Sequence, residues 1–361
     1  MILADNINRA KILKPLFVSL ALFFSVLSYS FFYNNSEPKH NKTPFTYING
    51  KTMGTTYSVS FRELISNSEV IKSDIDSILA IINNSMSTYI DNSEISTFNN
   101  LEKNINMKIS EHFYYVLKKA YYYNYLSNQK FDSTVGPLYE LWGFNGNRIL
   151  DEPIQSDIDE VKLIVGMDKI VMNLQDSTDL DFSIYKITNG VNVDFNAIAK
   201  GYAVDVISEY LSELGYLDHF VEIGGEIRTV SNSDPWSVGI QDPYTLGNSL
   251  VNVNLLDKSV ATSGNYINYI EYMDTESIKT HIINPITGYP LDVKSGMISS
   301  ATVISDKCID ADALATTLML LTVDEAISFI DKLEDSEAFI VYLKDSILET
   351  RETLGFSRFR N

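Results

Sequence analysis

Apolar residues recur at helical spacing in four stretches of the chain. In the first stretch, apolar side chains lie three and four residues apart: Val70, Ile71, Ile75, Ile78, Leu79 and Ile82. Ser110 can cap a second helix that runs to about Leu126. Residues 197–214 predict a third helix, which stops at Gly215, and helical spacing returns over residues 310–333.

Short runs of β-branched and aromatic residues predict strands between these helices. The predicted strands are Thr55–Phe61, Phe220–Ile223, Trp236–Gln241, Ser249–Leu256, Ile267–Met273, Met297–Ser305 and Ala338–Tyr342, the last in the chain. Helices and strands do not alternate regularly. We therefore expect an α+β fold with mixed, largely antiparallel sheets in a single catalytic domain.

The N-terminus has the pattern of an export signal or a membrane anchor. Basic residues precede an uncharged run of 22 residues from Pro15 to Ser36. This length permits a membrane-spanning helix, and Ser28–Ser30 offers a small-x-small cleavage site. The expected organisation is a signal or anchor over residues 1–33, a polar linker over 34–46 and one domain over 47–361. Positive charge before the run predicts that the domain lies outside the cytoplasm.

Composition narrows the class of protein further. The chain has 28 Lys and Arg against 47 Asp and Glu, a net charge of −19, and residues 1–33 carry three positive charges and one negative. The remainder, near −21, excludes a general nucleic-acid binder. Only one cysteine, Cys308, and four histidines are present, so any metal is expected to be a hard cation bound by oxygens.

Common catalytic signatures are absent from the sequence. It contains no phosphate-binding GxxxxGK[ST] loop, GxGxxG fingerprint, HExxH helix or GxSxG elbow. Turn residues do stand beside polar groups at Val193–Ala203, where a strand ends and a helix begins with Lys200. A helix start beside a lysine can bind a phosphate group, and an ordinary turn with a surface lysine explains the same pattern.

Three further segments combine turn residues or helical spacing with chemically useful groups. Paired glycines at Gly224–Gly225 permit close approach of a ligand, or a plain tight turn. His281 is either a structural hydrogen-bonding group or a proton acceptor. Asp312 and Thr316 share one face of a helix and could give two oxygens to Mg²⁺, although an aspartate there can also cap the helix.

Eight segments in this order resemble the ApbE family of flavin transferases. They are MGTTYSV at 53–59, MSTYIDNSEISTFN at 86–99, FDSTVGPLYELWGF at 131–144, VDFNAIAKGYAVD at 193–205, VEIGGEI at 221–227, TSGNY at 262–266, HIINPITGYP at 281–290 and DADALATTLMLL at 310–321. The resemblance covers about residues 47–345. It implies a T-fold-like α+β domain that binds FAD as substrate and uses Mg²⁺.

The resemblance also implies the activity. FMN would pass from FAD to a threonine or serine of a target protein, with release of AMP. The implied targets are FMN-carrying subunits of membrane redox complexes, of the sodium-pumping NADH:quinone oxidoreductase or Rnf type. The implied location is the bacterial inner membrane, with the domain on its outer side.

Individual residues match positions with roles in the family. The resemblance implies FAD contacts for Met53, Tyr89, Phe131, Asp132, Asp194, Lys200 and either Ile282 or Ile283. It implies a metal site for the carbonyl of Ala197 with Asp312 and Thr316, and a general base in His281. The family often has Asn and Asp around the paired glycines, where this chain has Glu222 and Glu226.

Two other activities fit the same residues. An FAD pyrophosphatase would use water in place of the target hydroxyl, and it would release AMP without a target. A non-catalytic flavin-binding or solute-binding protein would leave FAD intact in the presence of Mg²⁺. The presence of Lys200, Asp312 and Thr316 argues against that last reading.

Overall fold

The structure is a computed structural model that describes residues 45–144, 151–174, 182–245, 247–265, 269–272, 278–292, 296–345 and 347–360. The predicted signal or anchor at residues 1–33 lies outside these ranges, as does the linker up to residue 44. None of the helices in the described ranges is long and apolar enough to cross a membrane.

The described ranges contain eight helices of six residues or more. Their bounds are α1 Ser68–Met86, α2 Glu94–Asn100, α3 Glu111–Leu126, α4 Gly136–Leu141, α5 Gln155–Lys162, α6 Ala199–Glu213, α7 Cys308–Met319 and α8 Val323–Ile330. Ser110 caps α3 as predicted, because its side chain accepts a hydrogen bond from the N–H of Phe113.

The strands are short, from two to nine residues long. Their bounds are β1 Thr46–Thr52, β2 Thr55–Phe61, β3 Met107–Lys108, β4 Ile170–Leu174, β5 Phe182–Lys186, β6 His219–Ile223, β7 Glu226–Val230, β8 Trp236–Gln241, β9 Ser249–Leu255, β10 Ser259–Gly264, β11 Tyr269–Glu271, β12 Ile278–Ile283, β13 Pro290–Asp292, β14 Ile298–Ser305, β15 Ser336–Lys344 and β16 Ile347–Glu352.

One eight-stranded sheet organises the fold, in the order β1-β2-β6-β7-β10-β14-β15-β16. Each neighbouring pair is antiparallel. Strands β11, β12 and β13 form a separate three-stranded sheet inserted in the chain between β10 and β14. Smaller sheets pair β3-β5-β4 and β8-β9. The observed fold is the α+β, largely antiparallel arrangement that the sequence predicts.

Both faces of the large sheet are buried. The larger core includes apolar residues of α1, α3, α6 and α7 together with strand residues such as Val221 and Val303. A second core lies on the other face and joins Val260 and Ile304 to Val253, Leu255 and the C-terminal residues Phe356 and Phe359. Strand β14 is buried along its whole length, which fixes it as the centre of the domain.

Two element predictions are correct in type but differ from the structure in detail. Residues 310–333 form two helices, because Thr322 and Glu325 make a capping box that starts α8 anew after α7 has ended. Ala338–Tyr342 lies within β15, which is not the last strand, since β16 follows it at the sheet edge. The alternation of β16 is weak because the strand is rich in charge (ILETRE) and mostly not buried.

Candidate active site

Two hairpin turns meet at one end of the large sheet. Met53 and Gly54 both have positive φ between β1 and β2, as do Gly224 and Gly225 between β6 and β7. Because β2 pairs with β6, the two turns are neighbours, and the N–H of Gly224 donates to the carbonyl of Thr56 at 3.2 Å. The paired glycines therefore form a tight turn, and the sheet end beside it carries the chemistry that follows.

Helices α6 and α7 cross beside this sheet end. The N–H of Gly201, in the first turn of α6, donates to Oδ2 of Asp312 at 2.9 Å. In the opposite direction, Asp205 of α6 accepts the N–H groups of Cys308 and Ile309, each at 2.9 Å, at the start of α7. Each helix thus caps the other, and Asp312 caps α6 and not its own helix.

Lys200 points toward two buried carboxylates. Its ammonium forms an ion pair with Oε1 of Glu226, the first residue of β7. Glu226 is 3 % exposed and Asp312 is 4 % exposed. The alternative of an ordinary turn with a surface lysine does not hold, since Lys200 is partly buried and paired. The free helix start proposed for a phosphate is also partly used, because the Gly201 N–H is bonded to Asp312.

Burial and mutual charge shift the pKa values of this cluster. Burial, opposed by Lys200 and reinforced by Asp312, raises the pKa of Glu226 to about 8. Burial also raises the pKa of Asp312, again against Lys200. Burial disfavours the Lys200 ammonium, but Asp312 and Glu226 outweigh it and raise the pKa of Lys200. Lys200 therefore offsets part of the free-energy cost of burying Glu226 and Asp312 in their charged forms.

Thr316 lies one helical turn after Asp312, as the sequence predicts. Its hydroxyl is 3.1 Å from that of Ser263, near the end of β10. Strand β10 pairs with β7, which places this end of β10 at the Glu226 end of the sheet. Asp312 and Thr316 consequently present a carboxylate and a hydroxyl toward the same sheet end.

The backbone of Ala197 completes a set of oxygen donors. In a continuing helix its carbonyl would accept the N–H of Gly201, which instead donates to Asp312. Within the described ranges no hydrogen bond is seen to the Ala197 carbonyl or to Oδ1 of Asp312. A carbonyl, a carboxylate and a hydroxyl are hard oxygen ligands, so these residues fit a Mg²⁺ ion.

Asp132 and Asp194 are joined through the backbone between them. The N–H of Asp194 donates to the carbonyl of Ser133 at 2.7 Å. Asp132 accepts the N–H of Thr134 at 2.7 Å, and Asp194 accepts that of Asn196 at 2.7 Å. Burial raises the pKa of both carboxyl groups. The structure therefore brings these two predicted FAD-contacting residues together. Asp194 lies three residues before Ala197 and six before Lys200.

His281 lies on β12, within the inserted three-stranded sheet. The insertion leaves the large sheet after Asn265, whose N–H donates to the carbonyl of Ser299 at 3.1 Å on β14. This departure point is next to Ser263 and Thr316. Trp142 fixes the insertion from the other side, since its indole N–H donates to the carbonyl of Gly288 at 2.8 Å.

The remaining predicted contacts differ in exposure. Tyr89 is 86 % exposed in the loop after α1, and Met53 is half-buried at its turn. Phe131 packs against Tyr123 in the core, and Ile282 and Ile283 are also buried. Of these predicted contacts, Tyr89 is thus open to solvent, whereas Phe131, Ile282 and Ile283 are packed in the interior.

Glu226 and Ser263 were not among the predicted site residues. Both lie in segments that the sequence had marked, VEIGGEI and TSGNY. Glu226 stood out only as a departure from the family pattern. Its Oε2 is buried without a hydrogen-bond partner in the described structure, which sets it apart from a surface glutamate.

The chain is similar in sequence and fold to known proteins. The chain is 33 % identical to FAD:protein FMN transferase of Haemophilus influenzae over 321 residues, which cover 86 % of this chain and 90 % of that protein. It is 34 % identical to FAD:protein FMN transferase of Vibrio cholerae over 282 residues, 76 % and 81 % of the two chains. The solved structure of the flavin transferase ApbE from Vibrio cholerae covers 88 % of this chain and 99 % of its own, at 30 % identity and a TM-score of 0.76.

The fold, the site and these relatives define the protein as an enzyme of the transferase class. The chain belongs to the ApbE family, whose sequence model matches residues 53–340. The resemblance drawn from eight short segments is therefore confirmed.

Proposed function

We propose that the protein transfers FMN from FAD to a threonine or serine of a target flavoprotein and releases AMP, in a Mg²⁺-dependent reaction. The observation that carries the proposal is the oxygen-donor set of Ala197, Asp312 and Thr316 beside Lys200. The relatives named FAD:protein FMN transferase support the identity of the donor and of the transferred group.

The chain's polar residues divide the binding of FAD between them. Asp132 and Asp194 offer hydrogen-bond acceptors on one wall, and exposed Tyr89 offers an aromatic face to a flavin or adenine ring. Lys200 supplies the positive charge nearest to the metal-ligand residues, and it can leave Glu226 for a phosphate oxygen.

Asp312, Thr316 and the Ala197 carbonyl would hold the Mg²⁺ ion. When bound, Mg²⁺ neutralises pyrophosphate charge that the acidic protein would otherwise repel. Glu226 and Asp312 are both carboxylates in the same cluster, so the site without a cation holds one lysine against two acids.

The transfer itself is a phosphoryl substitution. The target hydroxyl oxygen forms a bond to the FMN-side phosphorus, while the bond from that phosphorus to the AMP oxygen breaks. His281 accepts the hydroxyl proton, and AMP leaves with the bonding electron pair. The residues above hold donor and acceptor in line, which is the main source of rate in such reactions.

The proposed setting is the outer face of the bacterial inner membrane. The basic residues and uncharged run of 22 residues at the N-terminus support this placement. The proposed targets there are FMN-carrying subunits of sodium-pumping NADH:quinone oxidoreductase or Rnf complexes. The high negative charge of the chain supports the exclusion of nucleic acid as a partner.

The proposal is tested by incubating the protein with FAD, MgCl₂ and a target domain that carries the acceptor threonine. Mass spectrometry measures FMN attached to the target, and chromatography measures AMP. We expect attachment that EDTA abolishes. Release of AMP and free FMN without attachment would replace the transferase with a pyrophosphatase, and intact FAD without AMP would indicate a binding protein.

Asp312→Asn is the sharpest variant for the metal site. The amide oxygen can still accept the Gly201 N–H, but the charge that would hold Mg²⁺ is lost. Loss of several kcal/mol of transition-state stabilisation predicts a fall of roughly a thousandfold in FMN transfer. Asp310→Asn is the matched control on the same helix, since Asp310 binds Lys119 and Tyr123 away from the site. Transfer by Asp312→Asn at the rate of the control would remove Asp312 from the metal site.

A further inference from the structure

Lys186 is a buried ammonium that forms no ion pair within the described ranges. It ends strand β5 and is 1 % exposed. Its Nζ donates to the carbonyl oxygens of Asn99 at 2.8 Å and Val191 at 3.1 Å, and it lies 5.5 Å from the ring centroid of Phe98. In the described ranges no carboxylate lies within ion-pair distance of it.

Such a group is costly to keep. Removing an ammonium from water without a carboxylate in ion-pair contact costs several kcal/mol. Burial lowers the pKa of Lys186, although the more distant Glu102 opposes this. A methionine or leucine would fill the same volume without that cost. The lysine instead joins two backbone segments that are far apart in the sequence, the end of α2 and the loop after β5.

Asn99 makes a second connection between the same two segments. Its side-chain amide donates to the carbonyl of Val193 at 2.8 Å and accepts the N–H of Val193 at 2.7 Å. The pair of bonds fixes both the position and the direction of the Val193 peptide. Together with Lys186, it holds alternate residues of the loop, Val191 and Val193.

The clamped loop leads directly into the candidate active site. Asp194 follows Val193 and bonds to Ser133, and Ala197 is three residues further on. On its other side, Asn99 lines a cavity of about 320 Å³ together with Thr88, Asp91, Ser96 and Asn100. This cavity adjoins the loop that carries the exposed ring of Tyr89.

We propose that Lys186 and Asn99 are positioning residues that set where the Asp194–Ala197 segment stands relative to the Tyr89 loop. Both side chains bond to backbone groups and neither belongs to the proposed metal-ligand set. This clamp, formed by Lys186 and Asn99, fixes the distance between Tyr89 and Asp194, which are both proposed FAD contacts. It also fixes the position of the Ala197 carbonyl, which is a proposed ligand of the cation. The expected change in kinetics rests on the proposed function. The expected effect on the position of the Asp194–Ala197 segment does not.

The test compares Lys186→Met with wild type in the full chain. Hydrogen exchange measures protection of the Val193 and Asp194 amides without ligand, and flavin fluorescence measures FAD affinity in EDTA. If Lys186→Met displaces the Asp194–Ala197 segment by about 1 Å, we expect KM for FAD to rise ten- to hundredfold. We expect a rise of the same size in the Mg²⁺ concentration for half-maximal AMP release. Lys186→Arg, which can still donate to carbonyl oxygens, restores most of the loss.

Lys119→Met is the matched control, because it removes a lysine from a partly buried ion pair with Asp310, away from the clamp. It is expected to lower thermal stability without changing exchange at Val193 or the affinity for FAD. If Lys186→Met does not fold, Asn99→Asp is used, since it keeps the acceptor for the Val193 N–H and removes the donor. Unchanged exchange and FAD affinity in the folded variant would overturn the clamp. A wild-type protein that transfers no FMN would instead overturn the proposed function, and the exchange and affinity measurements would still decide on the clamp.

Discussion

Glu226 is a buried carboxylate of the candidate site with a raised pKa. Its pKa is raised to about 8 by burial and by Asp312, although Lys200 is paired with it. A second carboxylate within the same cluster raises the pKa of Lys200. A ligand phosphate that takes Lys200 would leave Glu226 with less opposing charge, so Glu226 is expected to hold its proton more firmly in the complex.

His219 makes the stability of the fold depend on pH. It is fully buried on β6, where Nδ1 donates to the carbonyl of Tyr216 and Nε2 faces the hydroxyl of Ser208. That carbonyl can only accept, so Nδ1 must carry the proton of a neutral ring, and burial lowers the pKa of His219 to about 4.

Between pH 6.5 and 4 the unfolded chain therefore binds a proton that the folded chain does not. We expect stability to fall as the pH falls through this range, by about 3 kcal/mol from His219 alone. Urea unfolding at several pH values measures the difference between wild type and His219→Asn, which keeps a donor for Tyr216 but cannot titrate. Parallel curves for the two proteins would contradict the expectation.

Site residues were predictable where the signal is local. Asp312 and Thr316 share a helix face at a spacing of four, so their pairing follows from the sequence. Lys186 could not be found in this way, because nothing in the segment IYKITNG distinguishes a buried lysine from a solvated one. Its partners, Asn99 and Val191, come together only in the folded chain.

At the scale of elements, the crossing of α6 and α7 is the closest contact in the site. A Cβ on Gly201 would lie 2.8 Å from Cβ of Asp312 and closer still to the carbonyl oxygen of Cys308. No side chain fits there, which explains the glycine inside the first turn of a helix.

Gly201→Ala is accordingly expected to separate the two helices. Overpacking of this kind costs about 1–3 kcal/mol, and the hydrogen bond to Asp312 would lengthen at the same time. Thermal unfolding measures the first effect and Mg²⁺-dependent AMP release the second. Gly136→Ala is the control, since its Cβ would come no closer than 3.4 Å to a neighbour. If the Gly201→Ala protein is as stable and active as this control, α6 and α7 have room for a methyl group where they cross.

Elements were predictable where the spacing of apolar residues or a run of β-branched residues is clear. The amphipathic helix α1 and strand β2 were found, because their periodicity is clear. Strand β10 (SVATSG) was not, because small and polar residues follow one another without alternation, although its TSGNY end was recognised. Helix α6 begins two residues later than expected, at Ala199, because the turn before it presents Asp194 and Ala197.

At the scale of the whole molecule, net charge should oppose the arrival of FAD. A chain of net charge −19 repels a dianionic pyrophosphate at distances where no single residue acts. In EDTA, raising NaCl from about 50 to about 300 mM shortens the screening length, so we expect FAD to associate faster.

Stopped-flow flavin fluorescence measures this rate, and riboflavin, which has no phosphate, is the control ligand. Its association is expected to be insensitive to salt. FAD association that slows with salt would show that local positive charge, such as Lys200, governs the approach and that the overall field does not.

The reciprocal capping of α6 and α7 also determines at which stage of folding the candidate site forms. The bonded pairs Gly201–Asp312 and Asp205–Cys308 are separated by 111 and 103 residues of chain. Contacts between such distant residues form slowly, because a long loop must close before they stabilise anything. A growing chain therefore cannot form the proposed site for a nucleotide and a cation until residue 316 has been made. We expect that an unfinished chain cannot capture FAD, and that cofactor chemistry begins only once folding of the domain is nearly complete.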